Sequence, residues 1–340
     1  MGRPTLRDVA ERAGTSTAVV SYVLNSGPRP VAEATRIRVQ QAIADLGYRP
    51  DSLARAMRAR RTETIGLVVP DLGKAFFAEL TAAVESAVSA GGRRLLVAAS
   101  QFSADREMQQ VRALVDARVD GVLLAPSEND GSAPSWLASN SVPHVVMHRY
   151  VAGAINVVGR DIEAGRMATR HLVEHGHRAI ACLTGPSADS PVDRRARGYR
   201  DTMGTLDGPA PETWSRTCDY ANLNRSAYLE TRDLLVHSPE VTAICATTDE
   251  YAVGALRAAA ELGRRVGDDL ALVGIDGTML SAYLTPALTV LRAPFGEIGA
   301  EAVDALLAST DGKQAAGREL DLELIRRRSC GCAHERTEQT

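Results

Sequence analysis

No lysine occurs in the first 61 residues, although that stretch holds eleven arginines. No apolar run approaches the roughly 18 residues that a membrane-spanning helix needs, so no membrane partner is expected. Met1-Gly2-Arg3-Pro4-Thr5 opens into a polar helical pattern and not into an apolar signal core, and the expected location is the cytoplasm. Motifs of catalysis are missing too. There is no Gly-Lys phosphate loop, no Gly-x-Ser-x-Gly elbow and no His-Glu-x-x-His, which argues against an enzyme. No leucine heptad follows residue 329, so a dimer without a tetramerising coil is expected.

Cysteine is sparse. Cys182, Cys218 and Cys245 lie in or beside apolar stretches and read as small buried hydrophobes of a reducing compartment. Cys330-Gly331-Cys332 has ligand-like spacing, but no third or fourth donor is spaced nearby, and it reads as an incidental pair near a tail. His171-x-x-x-His175, with His177, presents imidazoles one turn apart, yet Gly176 reads as a helix C-cap. No metal site and no cofactor is expected.

The chain has 340 residues, 45% hydrophobic and 24% charged, a composition for two or three soluble globular domains. Its net charge of −3 conceals an asymmetry. Eleven arginines against five acids give residues 1–61 a charge of +6, which leaves −9 for the remainder. A basic head on an acidic body points to a head that meets a polyanion.

Within that head, Thr5-Leu6-Arg7-Asp8 is a capping-box-like start. Leu6, Val9, Ala10 and Ala13 follow at helical spacing until Gly14. Ser16 can cap a second helix from Thr17 to about Asn25, and the tight turn between the two reads as helix-turn-helix. A third helix is predicted from about Ala32 to Leu46, with Ile37, Val39, Ile43 and Leu46 inward and Gly47 ending it. In such a unit the second helix enters the major groove. Thr17, Ala18 and Tyr22 would then meet base edges, while Thr5, Arg7, Ser21, Asn25 and Thr35 suit phosphates, and Ser16 counts among the DNA-binding candidates too. Pro50 stops the third helix, and Asp51 can cap a short helix over residues 52–58. A helix so short is marginal alone, and forms when DNA or its counterpart from a second subunit buries it.

From Thr64 the pattern alternates strand and helix. Ile65-Gly66-Leu67-Val68-Val69 is a continuous apolar run, as in a parallel strand buried on both faces. Helices near 76–90 and 105–117 and strands at Arg94–Ala98, Gly121–Ala125 and His144–Met147 complete a first half. The second half repeats it, with helices near 162–175, 223–236 and 249–262 and strands at Ala179–Leu183, Ala243–Ala246 and Leu270–Ile275. This is an α/β body with parallel sheets, too large for one lobe. Ligands of such sheets sit at the strands' carboxyl ends.

The head motif Thr5-Leu6-x-Asp8-Val9-Ala10-x-x-Ala13-Gly14-x-Ser16-x-x-x-Val20-Ser21-x-Val23-Leu24-Asn25 resembles the lac repressor (LacI/GalR) family. Thr35-Arg36, Leu46-Gly47-Tyr48-x-Pro50 and Thr64-Ile65-Gly66-Leu67-Val68-Val69-Pro70 extend the likeness. The resemblance implies an all-α helix-turn-helix head at 1–49, a hinge helix and linker at 50–61, and a two-lobed periplasmic-binding-protein-like effector domain at 62–332. Its first lobe would span about 62–161 and 293–322, its second about 162–292 and 323–332, before a tail at 333–340. It further implies a homodimer on pseudo-palindromic double-stranded operator DNA, acting as a repressor under a small-molecule effector. Paired hinge helices would enter the minor groove through Ser52, Ala54 and Arg55, with Met57 as the apolar wedge.

Ligand candidates follow from strand ends and from the family pattern. They are Phe76, Phe77, Ser100, Ser127, His148, Arg149 and Asp161, with Arg195 as the family's ligand-binding arginine and Tyr220 as its stacking aromatic. Thr248 and Asp249 stand where the family has Asn-Asp, and Asp276 matches the acceptor of ligand hydroxyls. An Arg, an Asp and an aromatic face suit a sugar or sugar derivative. Two alternatives stand beside this reading: Arg195 and Asp276 as a structural ion pair, and Phe76 and Phe77 as core packing. The rival functions are an unregulated transport-type binding protein, against which the head argues, and a sugar-processing enzyme, which no catalytic constellation supports.

Overall fold

A computed structural model describes residues 4–25, 30–48, 61–127, 131–220 and 222–332. The chain divides into two units, Met1–Thr62 and Glu63–Thr340. In the first, the Thr5 Oγ1 accepts from the Asp8 N–H (3.3 Å) and Asp8 Oδ2 accepts from the Thr5 N–H (2.7 Å). This reciprocal cap starts α1 (Leu6–Ala13), which Gly14 ends in the left-handed conformation at φ 62°. Helices α2 (Thr17–Asn25) and α3 (Glu33–Leu46) follow. Val9, Ala10, Ala13, Val20, Val39 and Ala42 form a small core. Ile37 is not in it, contrary to the sequence expectation; it is exposed. It stands two residues before buried Val39, a rotation of about 200° around the helix. Ala32, with no side-chain oxygen to offer, begins α3 uncapped.

The second unit contains two six-stranded sheets. The first lobe is built from β1 (Thr64–Val69), α4 (Ala75–Ala90), β2 (Arg94–Ala99), α5 (Ala104–Asp116), β3 (Gly121–Leu124), α6 (Ser132–Ser139), β4 (His144–Met147) and β5 (Asn156–Gly159). The second comprises α7 (Asp161–Glu174), β6 (Ile180–Thr184), α8 (Pro191–Met203), β7 (Ser215–Thr217), α9 (Leu223–His237), β8 (Ala243–Ala246), α10 (Asp249–Glu261), β9 (Ala271–Asp276) and β10 (Thr289–Arg292). The chain then returns to the first lobe with α11 (Phe295–Thr310), which packs on α4, and β11 (Arg318–Leu320), and ends in the second with β12 (Glu323–Ile325). The sheet orders are β11-β5-β4-β3-β1-β2 and β12-β10-β9-β8-β6-β7. All pairs are parallel except β10–β12, where Leu291 faces Leu324.

Strand β1 is buried along its whole length, which is why it carries no polar alternation. On α4, Phe76, Phe77, Leu80, Val84 and Val88 recur at three- and four-residue steps and face the core. One apolar cluster runs through both lobes, from Leu67 and Met147 to Cys182, Tyr199 and Val273. Cys182, Cys218 and Cys245 are free and buried.

Helices α7 and α8 meet backbone to backbone. A Cβ on Gly165 would lie 1.9 Å from the Arg195 carbonyl oxygen, and one on Gly198 would lie 2.0 Å from that of Ile162. Only glycine permits this approach, and it brings Arg195 of α8 against the first residue of α7.

Candidate functional site

Ser190 caps α8 by accepting the Asp193 N–H, and Pro191 fits its first turn. One turn further, Arg195 points into the buried face. Its Nε donates to Asp161 Oδ1 (2.8 Å), and its Nη1 donates to Asp276 Oδ1 (2.7 Å) and to the Thr247 carbonyl (2.7 Å). All three charged side chains are at most 5% exposed. Burial raises the Asp276 carboxyl well above the usual range, and Arg195 opposes that rise. Burial raises Asp161 against the same opposition. For Arg195, burial disfavours the charge, but Asp276 and Asp161 more than restore it. Asp276 sits at the end of β9 with φ 137°, a region that costs a non-glycine residue about 1–3 kcal/mol. The geometry is that of a buried ion cluster. It also leaves Arg195 Nη2 and Asp276 Oδ2 outside these bonds, and both residues line a cavity.

That cavity holds about 70 Å³; at about 10–15 Å³ per water it has room for roughly five. The first lobe contributes Lys74, Phe76, Phe77, Phe102, His148 and Arg149, and the second Arg195, Tyr220, Leu223, Thr248, Glu250 and Asp276. The chain has four phenylalanines. Three form the cavity wall, and the fourth, Phe295, stands behind Phe76 at 5.2 Å between ring centres. His148 lies 4.7 Å from the Phe76 ring and 5.1 Å from the Phe77 ring. Burial, helped by Arg149 and Arg195, holds its imidazole far below the usual value and therefore neutral. Phe102 and Tyr220 lie parallel, centres 6.4 Å apart, one from each lobe. A wider surface groove of about 440 Å³ runs beside α6, but among the described residues His144 is the one titratable group on its wall. It offers a ligand no such convergence of charge.

Phe76, Phe77, His148, Arg149, Arg195, Tyr220, Thr248 and Asp276 therefore share one wall. The other expected ligand positions stand off it. Ser100 and Ser127 bond each other (2.6 Å), and Glu107 Oε2 accepts the Ser127 N–H (2.6 Å). Asp161 lies behind Arg195. Asp249 turns away to accept both the N–H (2.7 Å) and the hydroxyl (2.8 Å) of Thr278. Phe102, Lys74, Leu223 and Glu250 line the cavity without having been anticipated. Phe102 follows β2, and the positive φ values of Gln101 (53°) and Phe102 (56°) turn its ring inward. A strand end followed by an aromatic was the signal available.

In the head, Thr17 and Ala18 are exposed at the start of α2, and Ser21, Tyr22 and Thr35 are half-buried. Ser16 Oγ accepts the Val19 N–H (3.4 Å), so this hydroxyl caps α2. Thr5 is engaged in its capping box, and exposed Arg7 pairs with Glu11 (3.0 Å). The side chain of Asn25 and the expected hinge residues Ser52, Ala54, Arg55 and Met57 lie outside the described residues.

The expectation that Cys330 and Cys332 have no further donor nearby needs correction. The fold carries Cys332 Sγ to 3.3 Å from His171 Nε2 and 3.0 Å from His175 Nε2. His177, grouped with them by sequence, is elsewhere: its Nδ1 bonds the Thr242 hydroxyl (2.9 Å).

Residues 5–51 match the family model for bacterial regulatory proteins of the lacI family, and residues 169–330 match a periplasmic binding protein-like domain. The HTH-type transcriptional repressor PurR of Escherichia coli is 34% identical over 331 residues, 96% of each chain. The chain belongs to the LacI family. Within that family, the ribose operon repressor of Halalkalibacterium halodurans is 34% identical over 317 residues, 91% of each chain. Among solved structures, the Lac repressor dimer bound to operator and the anti-inducer ONPF covers 97% of this LacI-family chain and 99% of its own length. That match has a TM-score of 0.85 at 27% identity. The fold is that of a LacI-type regulator, with head helices followed by a two-lobed α/β domain of parallel sheets. Relatives of this chain are transcriptional repressors.

Proposed function

We infer that this protein is a repressor that binds a pseudo-palindromic operator as a homodimer, and that a small polyhydroxylated molecule in the interlobe cavity sets its DNA affinity. One observation carries the effector assignment: Arg195 and Asp276, bonded to each other, both line a space walled by aromatic rings from both lobes. A charged donor and acceptor beside ring faces suit a sugar or sugar derivative, whose hydroxyls bond while its C–H face stacks. A relative with a bound sugar supports the class, a CelR–cellobiose complex 32% identical to this chain. In this reading the head spans 1–49, the hinge and linker 50–61 and the effector domain 62–332. In this reading the cavity serves binding, and the Thr248 hydroxyl on its wall caps α10 by accepting the Tyr251 N–H. We place the protein in the cytoplasm with its DNA, where a repressor acts.

In this reading effector binding changes the separation of the lobes. Two contacts between them would yield: the Phe102–Tyr220 stack, and the bond from the Met279 N–H to Glu79 Oε1 (2.6 Å). Shifting a two-state population from 1:99 to 99:1 takes about 5.5 kcal/mol of preference. Exposed Leu72, Leu96, Val97, Met279, Leu280 and Tyr283 provide apolar surface for a partner subunit.

The test is fluorescence anisotropy of the full chain on its own upstream DNA, repeated with a panel of sugars and sugar derivatives. Salt-sensitive, sequence-selective binding altered by one compound is expected. Equal affinity for random duplex, or indifference to every compound, would sink the reading.

A further inference from the structure

Three metal-ligand side chains from segments far apart in the sequence, His171, His175 and Cys332, converge outside the cavity, with Cys330 beside Cys332. Two belong to α7: His171 in its last turn and His175 at its C-cap, ring centres 4.6 Å apart. Two belong to the C-terminal segment. There Ser329 Oγ donates to the Leu272 carbonyl (2.6 Å) and accepts the Thr289 N–H (2.8 Å), which fixes the segment to the second sheet. Gly331, at φ 73°, then reverses the chain and returns Cys332 toward α7. The donor atoms of His171, His175 and Cys332 all lie within 4.8 Å of one another. Cys330 Sγ is 2.8 Å from Cys332 Sγ, and both thiols are free.

We propose that His171, His175, Cys330 and Cys332 form a four-coordinate site for a zinc-class divalent cation, pinning the C-terminal segment to the end of α7. Two imidazoles and two sulfurs are a donor set that zinc prefers over harder cations. With Zn–S near 2.3 Å and Zn–N near 2.0–2.1 Å, tetrahedral geometry places S and N about 3.5 Å apart and the two sulfurs about 3.8 Å apart. The two Cys332–imidazole contacts need open by only a few tenths of an ångström, whereas Cys330, outside the 4.8 Å group, must swing toward the imidazoles. The sulfurs must separate by about 1 Å, which rotation of the half-buried Cys332 side chain supplies. Each thiol gives its proton to solvent as the metal binds, and the two thiolates balance the divalent charge. His171 and Cys330 are buried while His175 is exposed, so the ion has a path from solvent.

The full-length protein, reduced, stripped with chelator and desalted, is titrated with cobalt(II). One equivalent should bind with thiolate-to-cobalt charge-transfer and tetrahedral ligand-field bands, and zinc should bleach both. His175→Asn, at an exposed position, and Cys332→Ser should each lose the one-equivalent endpoint, whereas His177→Asn should retain it. Chelation should lower the wild-type melting temperature and leave that of Cys332→Ser unmoved. No uptake by the reduced wild type, or undiminished uptake by Cys332→Ser, would overturn the site. A Cys330–Cys332 disulfide whose reduction restores no cobalt binding would overturn it equally.

Discussion

Helix α7 ends in two different polar clusters. At its first residue, Asp161 joins Arg195 and Asp276, a cation between two carboxylates with an additional carbonyl. At its other end, His171 and His175 meet two cysteines, with no cation among the four. The first cluster contains its own cation, and its Arg195 and Asp276 also line the cavity. The second has no cation of its own, and its thiols and imidazoles contact one another. Burial alone therefore does not identify a site; the balance of donors and acceptors decides what a cluster still requires.

The sharpest way to break this comparison is to remove the cation at the first end. Arg195→Ala leaves two buried carboxylates unpaired and should cost about 3–5 kcal/mol in urea unfolding; a loss under about 1 kcal/mol would mean that the cluster is not the tie described. Next, Gly165→Ala should force α7 and α8 apart at the Arg195 carbonyl and destabilise by about 1–3 kcal/mol or more, since the obstructing atom is backbone. A neutral result there would refute the close approach that positions Arg195.

Titration gives a smaller effect with a definite sign. The folded chain holds the Asp276 carboxyl above its ordinary value, so it binds that proton more tightly than the unfolded chain does. The resulting stabilisation is full below about pH 3.9 and is lost as pH rises through the folded value. Measured against Asp276→Asn, the wild type should lose up to about 1.4 kcal/mol per pH unit across that window. A pH-independent difference would contradict the assignment. The smallest effect belongs to the other end of α7. In metal-free protein, His175→Asn should change stability by no more than about 0.5 kcal/mol, because the ring is exposed. A large loss without metal would make that cluster structural in its own right.

Much of this architecture is legible in the residues themselves. The Thr5 and Asp8 spacing implies the first cap, and the unbroken apolar run at Ile65–Val69 implies a strand covered on both faces. Ile37 misleads because apolar character alone does not set the face of a short helix. Arg195 and Asp276 are readable through their family pattern. Phe102 is not, because its placement depends on two consecutive positive φ values. Ser100 and Ser127 look like ligand contacts at strand ends, yet they satisfy each other. The His–Cys cluster is invisible to any local spacing rule. Its halves meet only because the chain leaves the second lobe after β10 and returns through β12.

The gathering of every phenylalanine around the cavity has a practical corollary. Neither indole of the chain is on that wall: Trp136 lies under Arg112 (5.5 Å) on α6, and Trp214 donates to Glu240 (3.2 Å). Native tryptophan emission should therefore be a poor witness to effector arrival, whereas a fluorophore installed by Phe102→Trp would look directly across at Tyr220 and change colour or brightness as the lobes part.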